Sequence, residues 1–209
     1  MKVKVCGMKY NDNIDQISKM KPEYMGFIFY KKSSRFVNKV LNTSQIKKLP
    51  KSIKKVGVFV KETVSEIETI VKKYSLDIVQ LHGDESPDYC KKLKEKNIKV
   101  IKAFQIEDAF NFSDLNEYEE HVDFFLFDTK SKGYGGSGMK FNWKILSNYN
   151  NKIPFFLSGG INETDISEMK KIKELNIEAI DINSCFEISP ALKNTSKVST
   201  FIKKVKNEL

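Results

Sequence analysis

The strongest constraint on the fold of this chain is an eightfold alternation of short apolar runs with amphipathic stretches. Several of the apolar runs are hydrophobic on both faces, as the buried strands of a parallel sheet are. They predict eight strands: Val3–Cys6, Tyr24–Phe29, Lys55–Val60, Asp77–Leu81, Lys99–Phe104, Phe124–Phe127, Ile153–Leu157 and Ala179–Ile182. The amphipathic stretches predict helices near residues 12–20, 43–48, 63–73, 86–95, 107–120, 141–148, 163–174 and 195–207.

Eight strand–helix units in 209 residues predict an α/β protein with one domain, residues 1–209, folded as a (β/α)8 TIM barrel. An open doubly wound sheet is the alternative, but such a sheet usually carries a G-x-G-x-x-G motif after its first strand. The first predicted strand is followed here by Gly7-Met8-Lys9, which lacks that motif. No linker, low-complexity segment or block of like charges divides the chain.

The composition is that of an ordinary soluble protein, with 40% hydrophobic and 30% charged residues. No apolar run approaches the roughly 20 residues that span a bilayer, and the N-terminus shows no signal-peptide core. We therefore expect a cytoplasmic protein without a membrane partner. The 3 cysteines are far apart and the chain has only 2 histidines, so we expect neither a disulfide framework nor a metal site.

A net charge of +9 raises the possibility of nucleic-acid binding, but the lysines are spread over almost every predicted helix. This spread is typical of solvated helix faces, and we expect no nucleic-acid partner. Among the 36 basic residues, Arg35 is the only arginine. Its planar, two-pronged guanidinium predicts recognition of a carboxylate or phosphate, which lysine cannot reproduce; chance survival of one arginine is the alternative explanation.

Active residues of a TIM barrel project from the carboxyl ends of its strands. The polar groups at these positions are Cys6, Arg35 in the loop after the second strand, His82, Asp128, Ser158 and Asp181. A thiolate at Cys6 is a candidate base and a carboxyl group at Asp128 a candidate acid. The competing interpretations are that Cys6 is an inert buried thiol and that the carboxylate of Asp128 caps a turn. His82 and Asp181 are candidates for orienting a ligand or a neighbouring side chain.

Glycine-rich or small polar segments follow the last three strands and predict a phosphate site. Backbone N–H groups of such loops can approach an anion without obstruction by side chains. The loops after strands 7 and 8 commonly share this task in TIM barrels. The predicted phosphate-binding residues are Gly136, Ser137, Gly138, Gly159, Gly160, Asn183 and Ser184. A phosphorylated small molecule is therefore the expected substrate.

Over essentially its whole length the chain closely resembles the phosphoribosylanthranilate isomerase family of tryptophan biosynthesis. The resemblance is carried by these segments: Val3-Lys4-Val5-Cys6-Gly7-Met8, Gly26-Phe27-Ile28-Phe29-Tyr30, Ser34-Arg35-Phe36-Val37, Gly57-Val58-Phe59-Val60, Val79-Gln80-Leu81-His82-Gly83-Asp84-Glu85, Asp128-Thr129, Gly135-Gly136-Ser137-Gly138, Phe141-Asn142-Trp143, Ser158-Gly159-Gly160-Ile161 and Asp181-Ile182-Asn183-Ser184. Their order and spacing agree with the family throughout.

The resemblance implies a cofactor-free Amadori rearrangement of N-(5-phospho-β-D-ribosyl)anthranilate to 1-(2-carboxyphenylamino)-1-deoxy-D-ribulose 5-phosphate. It assigns the general base to Cys6 and the general acid to Asp128. It further implies that Arg35 holds the anthranilate carboxylate and that Asp181 is a positioning residue at the rim of the site. Monomer and homodimer both remain open.

The chain departs from the family pattern at several positions. The loop before Arg35 lacks the usual prolines, Ser158 replaces an alanine, and Asn183 replaces a serine. Cys185 stands where glycine is more usual, so a Cβ there is expected to narrow the phosphate site or restrict the φ angle. A sugar-phosphate epimerase or lyase is an alternative, because Lys102 on the fifth strand is a candidate catalytic amine.

Overall fold

Eight parallel strands pair in chain order, and the last pairs with the first to close a barrel. This computed structural model describes residues 1–37, 40–130 and 140–209. The strands are β1 Lys2–Val5, β2 Tyr24–Ile28, β3 Lys54–Phe59, β4 Ile78–Leu81, β5 Lys99–Ile106, β6 Phe124–Thr129, β7 Phe155–Leu157 and β8 Ile177–Ile182. The predicted TIM barrel is confirmed.

Helices and 3₁₀ turns lie between the strands and cover the outside of the barrel. The α-helices are α1 Asn11–Ser18, α2 Thr43–Lys48, α3 Val64–Tyr74, α4 Pro87–Lys94, α5 Ile166–Lys170 and α6 Thr195–Glu208. Three 3₁₀ helices of the described residues span Phe112–Tyr118, Trp143–Asn148 and Ser184–Phe186. A small hairpin of β9 Glu187–Ser189 and β10 Leu192–Lys193 follows β8, and the sequence patterns did not predict it.

Two predicted helices, residues 107–120 and 141–148, are 3₁₀ helices instead. Each is preceded by an asparagine whose side-chain oxygen accepts the backbone N–H two residues later and caps the first turn. The predicted helix 163–174 is also shorter, since α5 begins only at Ile166. There the carboxylate of Asp165 accepts the backbone N–H of Asn162 and holds a turn before the helix.

The interior of the barrel has an apolar floor and a polar layer above it. Side chains alternate along each strand, so every second residue faces inward. The apolar floor consists of Tyr24, Val56, Ile78, Ile101, Ala103, Leu126, Phe156 and Ala179. Nearer the carboxyl ends of the strands, the inward positions are occupied by Lys4, Gln80 and Asp181, all nearly inaccessible to solvent.

The opposite faces of the strands pack against the helices in a second, larger apolar layer. It contains an aromatic cluster in which Phe127 contacts Phe112, Tyr149 and Phe155. This layer fixes β6 and therefore the position of Asp128 at its end. Within the described residues, no helix is both long and apolar enough to cross a membrane.

Candidate active site

A cleft opens at the carboxyl ends of the strands, the end at which the active residues of TIM barrels lie. The sequence-predicted site residues that line it are Cys6, Arg35, His82, Asp128, Gly159, Gly160, Asp181, Asn183 and Ser184. Three further predicted phosphate-binding residues, Gly136, Ser137 and Gly138, lie outside the described residues. Among the additional lining residues, Gln80 is the one with a polar side chain inside the barrel.

Cys6 follows β1 directly and is 4% exposed. The backbone of β2 passes so close to it that a Cβ on Gly26 would come within 2.7 Å of the Cys6 sulfur. Burial raises the pKa of the Cys6 thiol and the carboxylate of Asp181 adds to that effect, while the nearby ammonium groups of Lys4 and Lys193 oppose it. The site therefore supplies two cations that stabilise a thiolate when one forms.

Lys4 lies inside the barrel, two residues before Cys6 and on the same face of β1. Its Nζ donates hydrogen bonds of 2.8 Å to Oδ2 of Asp181 and of 2.8 Å to Oε1 of Gln80. Burial disfavours the ammonium, but the attraction of Asp181 and Cys6 outweighs it and raises the pKa of Lys4. The sequence analysis did not identify Lys4; a lysine flanked by two buried valines in a barrel strand was the available signal.

Asp181 on β8 is paired across the sheet with Lys4, in both backbone register and side-chain contact. Its second carboxylate oxygen, Oδ1, is buried and accepts no hydrogen bond from the part of the protein that the structure describes. Asp181 is also one of the residues that line the cleft.

Asp128 and His82 form a pair on the other side of the cleft. Asp128 is 7% exposed, and its Oδ1 accepts the backbone N–H of Thr129 at 2.9 Å. Nε2 of His82 lies 3.3 Å from Oδ2 of Asp128, while Nδ1 of His82 lies 2.9 Å from Nε2 of Gln80. Asp128 is thus held by a hydrogen bond at Oδ1, has the His82 ring beside Oδ2, and lines the cleft.

Arg35 is fixed by a carboxylate from the hairpin after β8. Its Nε and Nη2 donate to Glu187, at 2.8 Å and 2.6 Å for the closest contacts. Glu187 also accepts from the fully buried Lys193 at 2.7 Å. Burial opposes its charge, but these hydrogen bonds hold the pKa of Glu187 below the usual range. Neither Glu187 nor Lys193 was identified from sequence, since the hairpin itself was not predicted.

The loop after β7 contains two glycines with positive φ angles. Gly159 and Gly160 have φ angles of 93° and 63°, a region that disfavours other residues. A Cβ on Gly159 would overlap the hydroxyl and backbone nitrogen of Thr129. Ser184 opens the 3₁₀ helix that follows β8, and Asn183 directs its side-chain oxygen to Lys193 at 2.6 Å.

Cys185 lies within that 3₁₀ helix, and its φ angle is not positive. The expected conflict between a Cβ and the backbone at this position therefore does not arise. Its sulfur lies 3.7 Å from the carbonyl oxygen of Gly160, so the side chain contacts the loop after β7. It does not line the cleft.

Lys102, the candidate amine of an epimerase or lyase, does not face the cleft. Its neighbours Ile101 and Ala103 point into the barrel, so Lys102 points outward. Its Nζ donates to the carbonyl oxygens of Gly83 and Ala103 at 2.7 Å and 2.9 Å. Lys102 therefore supports the loop that carries His82, and the alternative based on it is wrong. Across the described ranges, no group of three or more His, Cys, Asp or Glu residues is arranged to hold a metal ion.

Comparison with known proteins places these features in context. Residues 3–204 match the sequence model of a protein family, which is described as N-(5'-phosphoribosyl)anthranilate (PRA) isomerase. A protein of that name from Parabacteroides distasonis is 42% identical over 206 residues, covering 98% of this chain and 93% of the relative.

Two solved structures of phosphoribosyl anthranilate isomerases are similar to this chain. The crystal structure of phosphoribosyl anthranilate isomerase from Thermotoga maritima is 30% identical, with a TM-score of 0.85, and covers 99% of this chain and 98% of that one. A second, 28% identical with a TM-score of 0.82, is a complex with reduced 1-(o-carboxyphenylamino)-1-deoxyribulose 5-phosphate; the coverage is again 99% and 98%.

Proposed function

The chain belongs to the N-(5'-phosphoribosyl)anthranilate isomerase family, and on this premise we propose that Cys6 and Asp128 are the base and the acid of its reaction. The enzyme rearranges N-(5-phospho-β-D-ribosyl)anthranilate to 1-(2-carboxyphenylamino)-1-deoxy-D-ribulose 5-phosphate in L-tryptophan biosynthesis. The observation that carries the assignment is that a thiol after β1 and a carboxyl group on β6 line one cleft. General acid–base chemistry requires two such groups within reach of one ligand.

The proposed reaction consists of two proton transfers. Asp128 protonates the ring oxygen of the furanose, and the ring opens to a Schiff base between C1′ and the anthranilate nitrogen. The Cys6 thiolate then removes the proton from C2′, giving an enolamine that tautomerises to the ketone. Lys4 and Lys193 stabilise the thiolate, while the Thr129 N–H stabilises the carboxylate that Asp128 becomes.

The remaining residues of the cleft bind the two ends of the substrate. Arg35, held by Glu187, binds the carboxylate of the anthranilate ring. Asp181, which lines the cleft, accepts a hydrogen bond from a hydroxyl or amine group of the substrate. The phosphate is bound by the loops that follow β6, β7 and β8. His82 contributes to substrate binding through its contact with Asp128.

The phosphate-binding residues in this proposal are Gly136, Ser137, Gly138, Gly159, Gly160, Asn183 and Ser184. The backbone angles at Gly159 and Gly160 support the assignment for the loop after β7. The enzyme acts in the cytoplasm as a monomer or homodimer, and size-exclusion chromatography with light scattering distinguishes the two assemblies. Free thiols at all three cysteines are consistent with a reducing compartment.

The test of the acid–base assignment follows the fluorescence of the anthranilate adduct with purified protein and no added metal. Cys6→Ala and Asp128→Asn each remove one proton-transfer group, so we expect kcat to fall by about 10²–10⁴-fold in each variant. Circular dichroism and thermal unfolding establish that the variants remain folded.

Matched controls are available within the chain. Cys90→Ala removes a buried thiol from α4, and Asp12→Asn removes an exposed carboxylate from α1. Both are expected to keep the parental kcat. A folded Cys6→Ala or Asp128→Asn protein with near-parental turnover would show that the assignment is wrong.

A further inference from the structure

A chain of polar side chains runs from the buried Lys4 inside the barrel to Asp128 at the cleft. Lys4 Nζ donates to Gln80 Oε1 at 2.8 Å, and Gln80 Nε2 lies 2.9 Å from His82 Nδ1. His82 Nε2 in turn lies 3.3 Å from Asp128 Oδ2. Gln80 is 1% exposed and Lys4 is fully buried, so water does not compete for the contact between them, whereas His82 is partly exposed in the cleft.

Donor and acceptor chemistry leaves one arrangement of this chain. An ammonium group has no acceptor, so the amide of Gln80 must turn its oxygen toward Lys4. Its NH₂ group then faces His82, and only an unprotonated Nδ1 can accept from it. The ring proton of His82 is therefore placed on Nε2, the nitrogen that faces Asp128.

We propose that Gln80 is a positioning residue that, oriented by Lys4, holds His82 in the neutral tautomer with its proton on Nε2 toward Asp128. The proposal rests on the function assigned above to Asp128. When Asp128 has given its proton to the substrate, the Nε2–H of His82, with the nitrogen 3.3 Å from Oδ2, offsets the negative charge there, while Oδ1 accepts from Thr129. The opposite tautomer would direct a nitrogen lone pair at that carboxylate and weaken the acid.

The same lysine serves both sides of the reaction. Its charge stabilises the Cys6 thiolate, and its hydrogen bond to Gln80 fixes the ring that supports Asp128. Asp181 anchors the ammonium at 2.8 Å and prevents Lys4 from turning away from the amide. The buried polar layer of the barrel is thus a scaffold for the acid as well as for the base.

The decisive variant is Gln80→Glu, which keeps the shape of the side chain but cannot donate to His82. The carboxylate still accepts from Lys4, and it now favours a proton on Nδ1 of His82. The protonation of each ring nitrogen is read from ¹⁵N–¹H correlation spectra of histidine-labelled protein. Since His82 and His121 are the only 2 histidines, the His121→Gln background leaves a single imidazole to observe.

In the parental protein we expect the signature of an unprotonated Nδ1 and a protonated Nε2. In Gln80→Glu we expect Nδ1 to become protonated and kcat to fall about ten- to a hundredfold, the range found when the outer partner of a metal-bound histidine is removed. KM should change little, because Gln80 acts through His82. Gln16→Glu, the same exchange on the exposed face of α1, is the control and should leave both readouts unchanged.

A proton on Nδ1 of His82 in the parental spectrum would overturn the proposal, and this result does not depend on any variant folding. A folded Gln80→Glu protein with parental tautomer or parental kcat would overturn it as well. If Asp128→Asn keeps its activity, the proposed function of the acid fails instead, whichever tautomer the spectrum shows. The two failures are therefore distinguishable.

Discussion

Replacing the only arginine of the chain, Arg35→Lys, separates its binding role from its structural one. The guanidinium holds Glu187 through Nε and Nη2, and its side chain lines the cleft where the anthranilate carboxylate is proposed to bind. A lysine keeps the positive charge but offers one ammonium group in place of a planar fork. It can satisfy Glu187 or the substrate, but not both with the same geometry.

The magnitude follows from the hydrogen bonds that are lost. One charge-assisted hydrogen bond contributes about 1.5–3 kcal/mol, which corresponds to a roughly ten- to hundredfold increase in KM. The acid and the base are untouched, so kcat should change much less than KM. Steady-state kinetics with the fluorescent substrate measures both constants, and thermal unfolding reports on the ion pair with Glu187.

Lys203→Arg, an exchange between the same two residue types on the exposed face of α6, serves as the control and should leave KM unchanged. A lowered melting temperature of Arg35→Lys with an unchanged KM would refute the reasoning. Arg35 would then serve only to neutralise Glu187, and the anthranilate carboxylate would be bound elsewhere.

Three further predictions concern the base, the phosphate loop and the core. Because burial raises the pKa of the Cys6 thiol and catalysis needs the thiolate, kcat/KM should rise with pH to a midpoint above that of an ordinary thiol; a midpoint below it would contradict the assignment. Gly159→Ala should raise KM and lower the melting temperature, because the added Cβ would overlap Thr129 and because alanine disfavours the φ angle of 93° at this position. An unchanged KM would exclude this loop from phosphate binding. Phe127→Ala should lower the free energy of unfolding by about 3–5 kcal/mol in urea titrations. Ile188→Ala, at a side chain that is 69% exposed, should change the free energy of unfolding little. Equal losses of stability in Phe127→Ala and Ile188→Ala would show that the aromatic layer is not tightly packed.

The barrel could be predicted from sequence because its strands are defined by local patterns. Apolar runs such as Phe124 to Phe127 are strongly hydrophobic and short, and eight of them alternate with amphipathic stretches. The position of the cleft followed from the same pattern, since the carboxyl ends of parallel strands meet at one end of a barrel. Cys6 and Asp128 were therefore identifiable as facing groups before any distance was known.

The secondary structure between the later strands was less predictable. The segments 107–120 and 141–148 have helical patterns, yet the side chains of Asn111 and Asn142 start tight turns that continue as 3₁₀ helices. Hydrophobic periodicity predicts a helix, but it does not distinguish the α form from the 3₁₀ form over so short a segment.

The sequence by itself determined the eight strands and the groups at their ends, because both depend on neighbours along the chain. Only the tertiary structure decided the partners of those groups. Lys4 and Gln80 come from strands 76 residues apart, and Glu187 meets Arg35 across 152 residues. Closure of the barrel brings these side chains together where water is excluded, and there a lysine in an apolar strand becomes a fixed charge that orients the residues around it.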